Sequence, residues 1–187
     1  VIEINAPIRT ERLVLRPFTA ADEADMLAFE SRPDVARYLF NEPRTPEGNA
    51  RELAVRQEQT ALRAEGDTLL LAVDLEGTVI GYTLLTWLSE QHRQGEFGYV
   101  LHPGHGGRGL ATEAAREMLR LGFEELGLHR VIGRCDPRNE ASARLMGRLG
   151  MRQEAHFVES EIFKGAWGGE LHFAMLAREW EAAGRPN

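Results

Sequence analysis

The run Val100-Leu101-His102-Pro103-Gly104-His105-Gly106-Gly107-Arg108-Gly109-Leu110-Ala111-Thr112-Glu113-Ala114 constrains this chain more than any other segment. It leaves a strand-like stretch, passes four glycines and enters helical spacing. Glycine lets main-chain N–H groups approach a ligand and adopt conformations closed to other residues. A helix start adds unpaired N–H donors and the positive end of the helix dipole, so phosphate is the natural ligand. Arg108 contributes a permanent cation that can pair with a phosphate oxygen. No Lys-Ser/Thr pair follows the glycines, which argues against a nucleoside triphosphate loop. A dinucleotide fingerprint also fails, because no strand–helix–strand unit with a ribose-binding acid opens the chain. The other reading is a tight turn that binds nothing.

Around this turn the pattern is mixed. Residues 12–18 alternate as a strand, and Thr19 caps a helix to about residue 31, with Asp22 and Glu23 in its first turn. Residues 33–46 are turn-rich. A long helix is expected over 46–65, with Leu53, Gln57, Ala61 and Ala64 along one side and Gly66 ending it. Strands at 68–73 and 78–87 flank a hairpin turn at 74–77, and a further strand covers 96–101. A helix over 110–126, a strand over 130–135, a helix over 139–149 and closing strands at 158–163 and 171–176 complete the chain. This order implies an α/β (α+β) fold, with helices covering a mixed sheet.

The 187 residues fit one domain, 1–187, with 43% hydrophobic residues to build its core. A single cysteine, Cys135, excludes an internal disulfide framework, removes the case for a thiolate metal site and fits a reducing, cytoplasmic setting. The histidines His102, His105, His129, His156 and His172 lack metal-ligand spacing, so no metal is expected. No apolar run reaches the ~18 residues of a membrane span, and no signal pattern opens the chain. A net charge of −7 argues against general nucleic-acid binding and favours a cationic partner. A homodimer is the other association expected.

Downstream, Asp136-Pro137-Arg138-Asn139-Glu140-Ala141-Ser142 and Leu149-Gly150-Met151 follow the strand at 130–135. With these, Gly106-Gly107-Arg108-Gly109-Leu110-Ala111 resembles the pyrophosphate-binding element of the GNAT superfamily of N-acetyltransferases. Gly106 stands where that family commonly has Gln, Arg or an aromatic residue. The segments Thr10-Glu11-Arg12-Leu13-Val14-Leu15-Arg16-Pro17-Phe18, Phe173-Ala174-Met175-Leu176 and Glu179-Trp180 look like the ribosomal-protein (RimJ/RimL-like) branch, so the likeness covers nearly the whole chain.

The resemblance implies a mostly antiparallel seven-stranded sheet, splayed centrally and flanked by about four helices. It implies acetyl-CoA as co-substrate. Pantetheine would lie against the main chain near Val100 and Leu101, and the pyrophosphate on His105, Gly106, Gly107, Arg108, Gly109, Leu110, Ala111 and Thr112. A backbone N–H near the end of the strand at 96–101 would stabilise the oxyanion.

Glu96, Gly98 and Val100 share one strand face, and Gly98 leaves room beside the glutamate. Glu96 is therefore the candidate general base, or else a surface carboxylate, while Glu159, Glu161 and Glu170 compete with it as charges that could attract or orient a cationic substrate. Ser142 shares a helix face with Leu145, Met146 and Leu149 and should point inward. It either bonds the carbonyl four residues back or, by the resemblance, donates to the departing sulfur. Asn139 fits a helix N-cap, and by the resemblance also contacts pantetheine. Cys135 reads as a core or ligand-lining thiol and Trp167 as a turn aromatic.

No activated nucleophile is apparent, so direct transfer in a ternary complex is expected. The acceptor is a protein N-terminal amine or a small amine such as an amino acid, polyamine or antibiotic. A non-catalytic acyl-CoA-binding module and a nucleotide-phosphate binder are the competing classes.

Overall fold

Strand alternation fixes which residues meet on each side of the sheet, and helix lengths fix how each side is covered. The computed structural model describes residues 1–183. The chain opens with β1 (Ile2–Glu3), β2 (Ile8–Arg9) and β3 (Val14–Arg16). A 3₁₀ turn (Ala20–Asp22) leads into α1 (Glu23–Glu30), followed by the short α2 (Pro33–Ala36) and α3 (Pro46–Glu58). Next come β4 (Ala61–Leu62), β5 (Thr68–Leu75), β6 (Thr78–Ser89) and β7 (Gln94–Leu101). The glycine turn enters α4 (Leu110–Arg120), whose end widens into a π turn (Leu121–Glu125). The remainder is β8 (Arg130–Cys135), α5 (Glu140–Arg148), β9 (Arg152–Phe163), β10 (Ala166–Leu176) and α6 (Ala177–Ala182).

The main sheet has the order β2-β3-β5-β6-β7-β8-β10-β9, and β1 pairs with β4 in a separate ribbon. Every neighbour in the main sheet is antiparallel except β7 and β8. The expected sheet is therefore present with eight strands in place of seven. Six α-helices, rather than about four, lie among the described residues. None of these helices is long and apolar enough to cross a membrane.

Two apolar layers sandwich the sheet. On one face Phe97, Val131 and Phe173 pack against Ala114, Ala115 and Met118 of α4 and Leu145 and Met146 of α5. On the other, Tyr82 and Val100 pack against Met26 and Phe29 of α1 and Leu53 of α3. Phe97 and Val100 thus take opposite faces, as strand alternation requires.

Helix α3 starts where its signals place it. The Gly48 N–H donates to Thr45 Oγ1, and Pro46 takes the first helical position. It stops well before Gly66. Leu62 is fully buried and pairs with Ile2 in the β1–β4 ribbon, and the Asp67 carboxylate accepts from the N–H groups of Arg63 and Ala64. Ala61 and Ala64 are consequently not on a helix side, since long-range pairing overrides local helix propensity here. The closing hairpin is longer than expected, with its turn at Lys164-Gly165. β9 is an edge strand with little apolar alternation, and that is why its first half escapes pattern reading.

Candidate functional site

The glycine turn is shaped by two left-handed residues, Gly107 (φ 73°) and Gly109 (φ 76°), the second being the N-cap of α4. Among the described residues, the N–H groups of Gly107, Arg108, Gly109, Leu110, Ala111 and Thr112 have no acceptor within the chain. The first return bond of the helix runs from Glu113 N–H to the Gly109 carbonyl. Thr112 Oγ1 and His105 Nδ1 are buried there without hydrogen-bond partners among the described residues. Buried polar atoms of this kind are costly unless something binds them. They line a cavity of about 240 Å³ together with Leu101, Gly106 and Arg148. These donors and the cation fit an anionic group such as a diphosphate. A larger groove of about 650 Å³ runs on from Gly109 and Arg148 along α4, past Arg116 to Trp180.

The start of α4 is pinned from the N-terminal strands. Thr10 Oγ1 donates to Glu113 Oε1 at 2.6 Å, and the Arg12 N–H and guanidinium donate to the same carboxylate at 2.7 and 2.8 Å. Arg12 also donates to the Arg108 carbonyl at 2.8 Å. Burial opposes ionisation of Glu113, but the hydrogen bonds from Thr10 and Arg12 outweigh it and hold the carboxyl below its ordinary range. The turn is therefore tied down from outside.

The second element is a gap in the sheet. β7 and β8 pair in parallel only at Gln94↔Arg130, Gly95↔Val131 and Glu96↔Ile132, after which they part. The His102 N–H donates to the Ile80 carbonyl, and Val100 pairs with Tyr82. Main-chain groups alternate along a strand, so Val100 turns its own toward β6. Tyr99 and Leu101 are the residues that present theirs to the gap. Gly133 sits at its floor, where a Cβ would lie 2.6 Å from Phe97 and 2.7 Å from Met146 Sδ.

Ser142 comes into this gap from α5. It is buried, as are Leu145, Met146 and Leu149 on the same helix face. Its Oγ accepts from the Tyr99 hydroxyl at 3.2 Å and makes no bond to the carbonyl four residues back. With Tyr99 donating into it, the Ser142 proton is free for another acceptor. Burial, partly offset by the Ser142 hydrogen bond, pushes the Tyr99 hydroxyl above its ordinary pKa, so it stays protonated. Asn139 caps α5, its Oδ1 accepting from the Ser142 N–H at 3.2 Å. Tyr99, Ser142, Gly98, Gly133 and Glu96 line one cavity of about 370 Å³.

Next to it lies a cavity of about 340 Å³ that shares Glu96, Arg134, Leu39 and Phe40 and adds Tyr38, Cys135, Asp136, Glu161, Phe163 and Glu170. Both oxygens of Glu96 are held by Arg134, at 2.7 and 3.0 Å. Glu170 lies 3.6 Å from the same guanidinium and 2.5 Å from His172 Nε2. The Arg134 guanidinium is held further into its charged form, chiefly by Glu96. The room beside Gly98 is partly taken by Leu84, whose Cδ1 would be 3.4 Å from a Cβ there. Cys135 lines the cavity as an inert thiol, pushed up to about 11 by burial and then by the Asp136 and Glu170 carboxylates. Lys164, at the β9–β10 turn, donates to the Ala36 and Asn41 carbonyls at 2.7 and 3.0 Å, and Phe40 meets Phe163 edge-on. Trp167 is exposed on β10, and Glu159 lies on β9 outside both cavities.

Sequence reasoning missed Tyr99, Arg134 and Arg148. Tyr99 was legible as the neighbour of Glu96 and Gly98 on the opposite strand face, but its partner became visible only once α5 was placed. Arg148 lay in the basic last turn of α5, a position that ordinarily only complements the helix dipole.

The comparisons with known proteins converge. Residues 12–152 match the family described as "Acetyltransferase (GNAT) domain". The chain is 32% identical over 176 residues to the "Uncharacterized N-acetyltransferase YnaD" of Bacillus subtilis (strain 168), covering 92% of this chain and 98% of the relative. It is 24% identical over 170 residues to the "Spermidine N(1)-acetyltransferase" of Escherichia coli (strain K12), covering 90% of this chain and 88% of that one. The crystal structure of an acetyltransferase (GNAT family) from Bacillus anthracis superposes with a TM-score of 0.80 at 29% identity, covering 92% of this chain and 99% of the other. A glycine turn with unpaired amides, leading to a gap beside a buried serine, is thus found in a chain that belongs to the GNAT acetyltransferase family and is an N-acetyltransferase.

Proposed function

We propose that this enzyme transfers an acetyl group from acetyl-CoA directly to the primary amine of a small cationic acceptor. The observation that carries the reading is the separation of β7 from β8 beyond Glu96, with Tyr99 and Ser142 inside the gap and the glycine turn at its end. The N–H groups of Gly107, Arg108, Gly109, Leu110, Ala111 and Thr112, with Arg148, would hold the diphosphate. The main chain of Tyr99 and Leu101 would pair with pantetheine as an added strand does. Acetyl-CoA supplies the activated thioester carbonyl. Ser142, held by Tyr99, donates its proton toward the departing sulfur, while Asn139 fixes the start of the helix that carries it.

Direct transfer is supported by the inertness of the one thiol at hand. The acceptor class is supported by the cavity lining, where the carboxylates of Glu96, Asp136, Glu161 and Glu170 outnumber Arg134 and Tyr38, Phe40 and Phe163 add aromatic rings. The Escherichia coli relative is named for spermidine, a polycation, and such an acceptor would suit this lining. The likeness to the ribosomal-protein branch falls largely on residues with other duties. Thr10 and Arg12 pin Glu113, Glu179 accepts from the Leu176 N–H, and Trp180 stacks on Phe123. None of these lines the acceptor cavity.

The test is free-thiol release from acetyl-CoA across a panel of diamines, polyamines, amino acids and short peptides, alongside calorimetric binding of coenzyme A. Intersecting initial-rate lines with a diamine or polyamine are expected. Saturable coenzyme binding without turnover on any amine would make the protein a sensor, and ATP competing at equal affinity would make the turn a general nucleotide site.

A further inference from the structure

A primary ammonium must lose a proton before its nitrogen can attack, and a second as the amide forms. One of the two returns to sulfur, and the other must reach water. Glu96 is poorly arranged to start this path, because both of its oxygens face the Arg134 guanidinium in a two-point pair. Glu170 lines the same acceptor cavity and is arranged differently. Its Oε2 stands 3.6 Å from Arg134, outside hydrogen-bond distance, and its Oε1 meets His172 Nε2 at 2.5 Å. The imidazole is partly exposed.

The sheet register explains the placement. His172 on β10 lies between Arg134 on β8 and Ala155 on β9, on the same face as Glu170. The Phe157 ring of β9 packs edge-on against the imidazole at 4.9 Å and fixes its plane. The charged groups facing it are Glu170 on its own strand and Arg134 across β8, with Glu96 beyond Arg134 and Glu161 on β9 also acting on that guanidinium. A carboxylate with an oriented imidazole behind it and an outlet to solvent is the arrangement that proton removal requires.

We propose that Glu170 and His172, rather than Glu96, take the proton that the acceptor ammonium sheds, with His172 passing it to bulk water. The inference rests on the acetyl-transfer reading above. The proton moves from nitrogen to the Glu170–His172 pair, leaving a neutral amine and an imidazolium beside a carboxylate. The C–N bond then forms, the C–S bond breaks, one of the two protons left on nitrogen replaces the one given to sulfur while the other stays as the amide N–H, and the imidazolium releases its proton to solvent. Glu170 is the catalytic residue, His172 a positioning and relay residue, and Arg134 keeps the two carboxylates apart.

The test is the pH dependence of kcat/KM for a diamine, putrescine, in the wild type and in Glu170→Gln, His172→Gln and Glu96→Gln. A rising limb in the wild type should shift or vanish in the first two variants and persist in Glu96→Gln. kcat should fall by about 10²-fold, the low end for loss of a general base, with coenzyme A affinity unchanged. A second measurement needs neither turnover nor a variant. In uniformly ¹⁵N-labelled wild type without acetyl-CoA, putrescine should move the His172 imidazole resonances. A limb that survives in Glu170→Gln and His172→Gln, or moves only in Glu96→Gln, overturns the proposal, and so does an imidazole blind to the amine. Absence of wild-type turnover on every amine would instead overturn the acetyl-transfer reading.

Discussion

The Tyr99 hydroxyl donates to Ser142 Oγ across 3.2 Å and so ties β7 to α5 where β7 has left β8. The pair is not packing alone, because a buried serine satisfied by its own helix would need no such partner. Tyr99→Phe removes the donor and leaves the ring. Turnover should fall about fivefold, the scale of one hydrogen bond of ~1 kcal/mol, with coenzyme A affinity unchanged. Ser142→Ala added to Tyr99→Phe should cost less than its separate effect, since residues that act as one unit are not additive. Steady-state kinetics of the two single variants and the double variant check this.

Gly109→Val should weaken coenzyme A binding by about tenfold or more. The position has φ 76°, and a Cβ there would stand 3.4 Å from Arg12 Nη2, so a β-branched residue strains the turn that aims the amides. Gly147→Ala, where a Cβ meets nothing within 4 Å, serves as the control and should bind normally. Calorimetry with coenzyme A reads both.

Arg148→Ala should lower coenzyme A affinity and also flatten its dependence on salt, because the side chain lines the cradle as an exposed cation. Titrations at low and high ionic strength separate this from a structural loss, which would lower affinity equally at both.

Stability should depend on acid through Glu113. Its carboxyl sits below the ordinary range in the folded chain, so its contribution is present above the unfolded value of about 4.3 and is lost as pH falls through the folded value. Glu113→Gln should therefore melt lower than the wild type at pH 7, with the difference shrinking below about pH 4. Thermal unfolding at several pH values reads it. Coenzyme A affinity should fall in the same variant, because Arg12 and Thr10 would lose their hold on the start of α4.

The elements that build the site were legible because each announces itself locally. Strand alternation placed Phe97 and Val100 on opposite faces, the glycines marked the turn, and three-four spacing turned Ser142 inward. Local pattern could not supply contacts that depend on distant segments. Tyr99 meets Ser142 from another element, Arg134 reaches Glu96 between strands that share only a short stretch of pairing, and Glu113 is held from residues 10–12. Ala61 and Leu62 left the expected helix for the same reason, drawn into pairing with β1.

The cavity lined by residues 38–41 and by Glu161, Phe163 and Glu170 of the β9–β10 hairpin is tied across by the Lys164 ammonium at the Ala36 and Asn41 carbonyls and by the edge contact of Phe40 with Phe163. If the proposed acceptor binds there, admitting a bulkier one would have to strain the contacts that hold the β9–β10 hairpin. On the proposed reading, selectivity for acceptor size should depend on the strength of that clasp as much as on the shape of the walls.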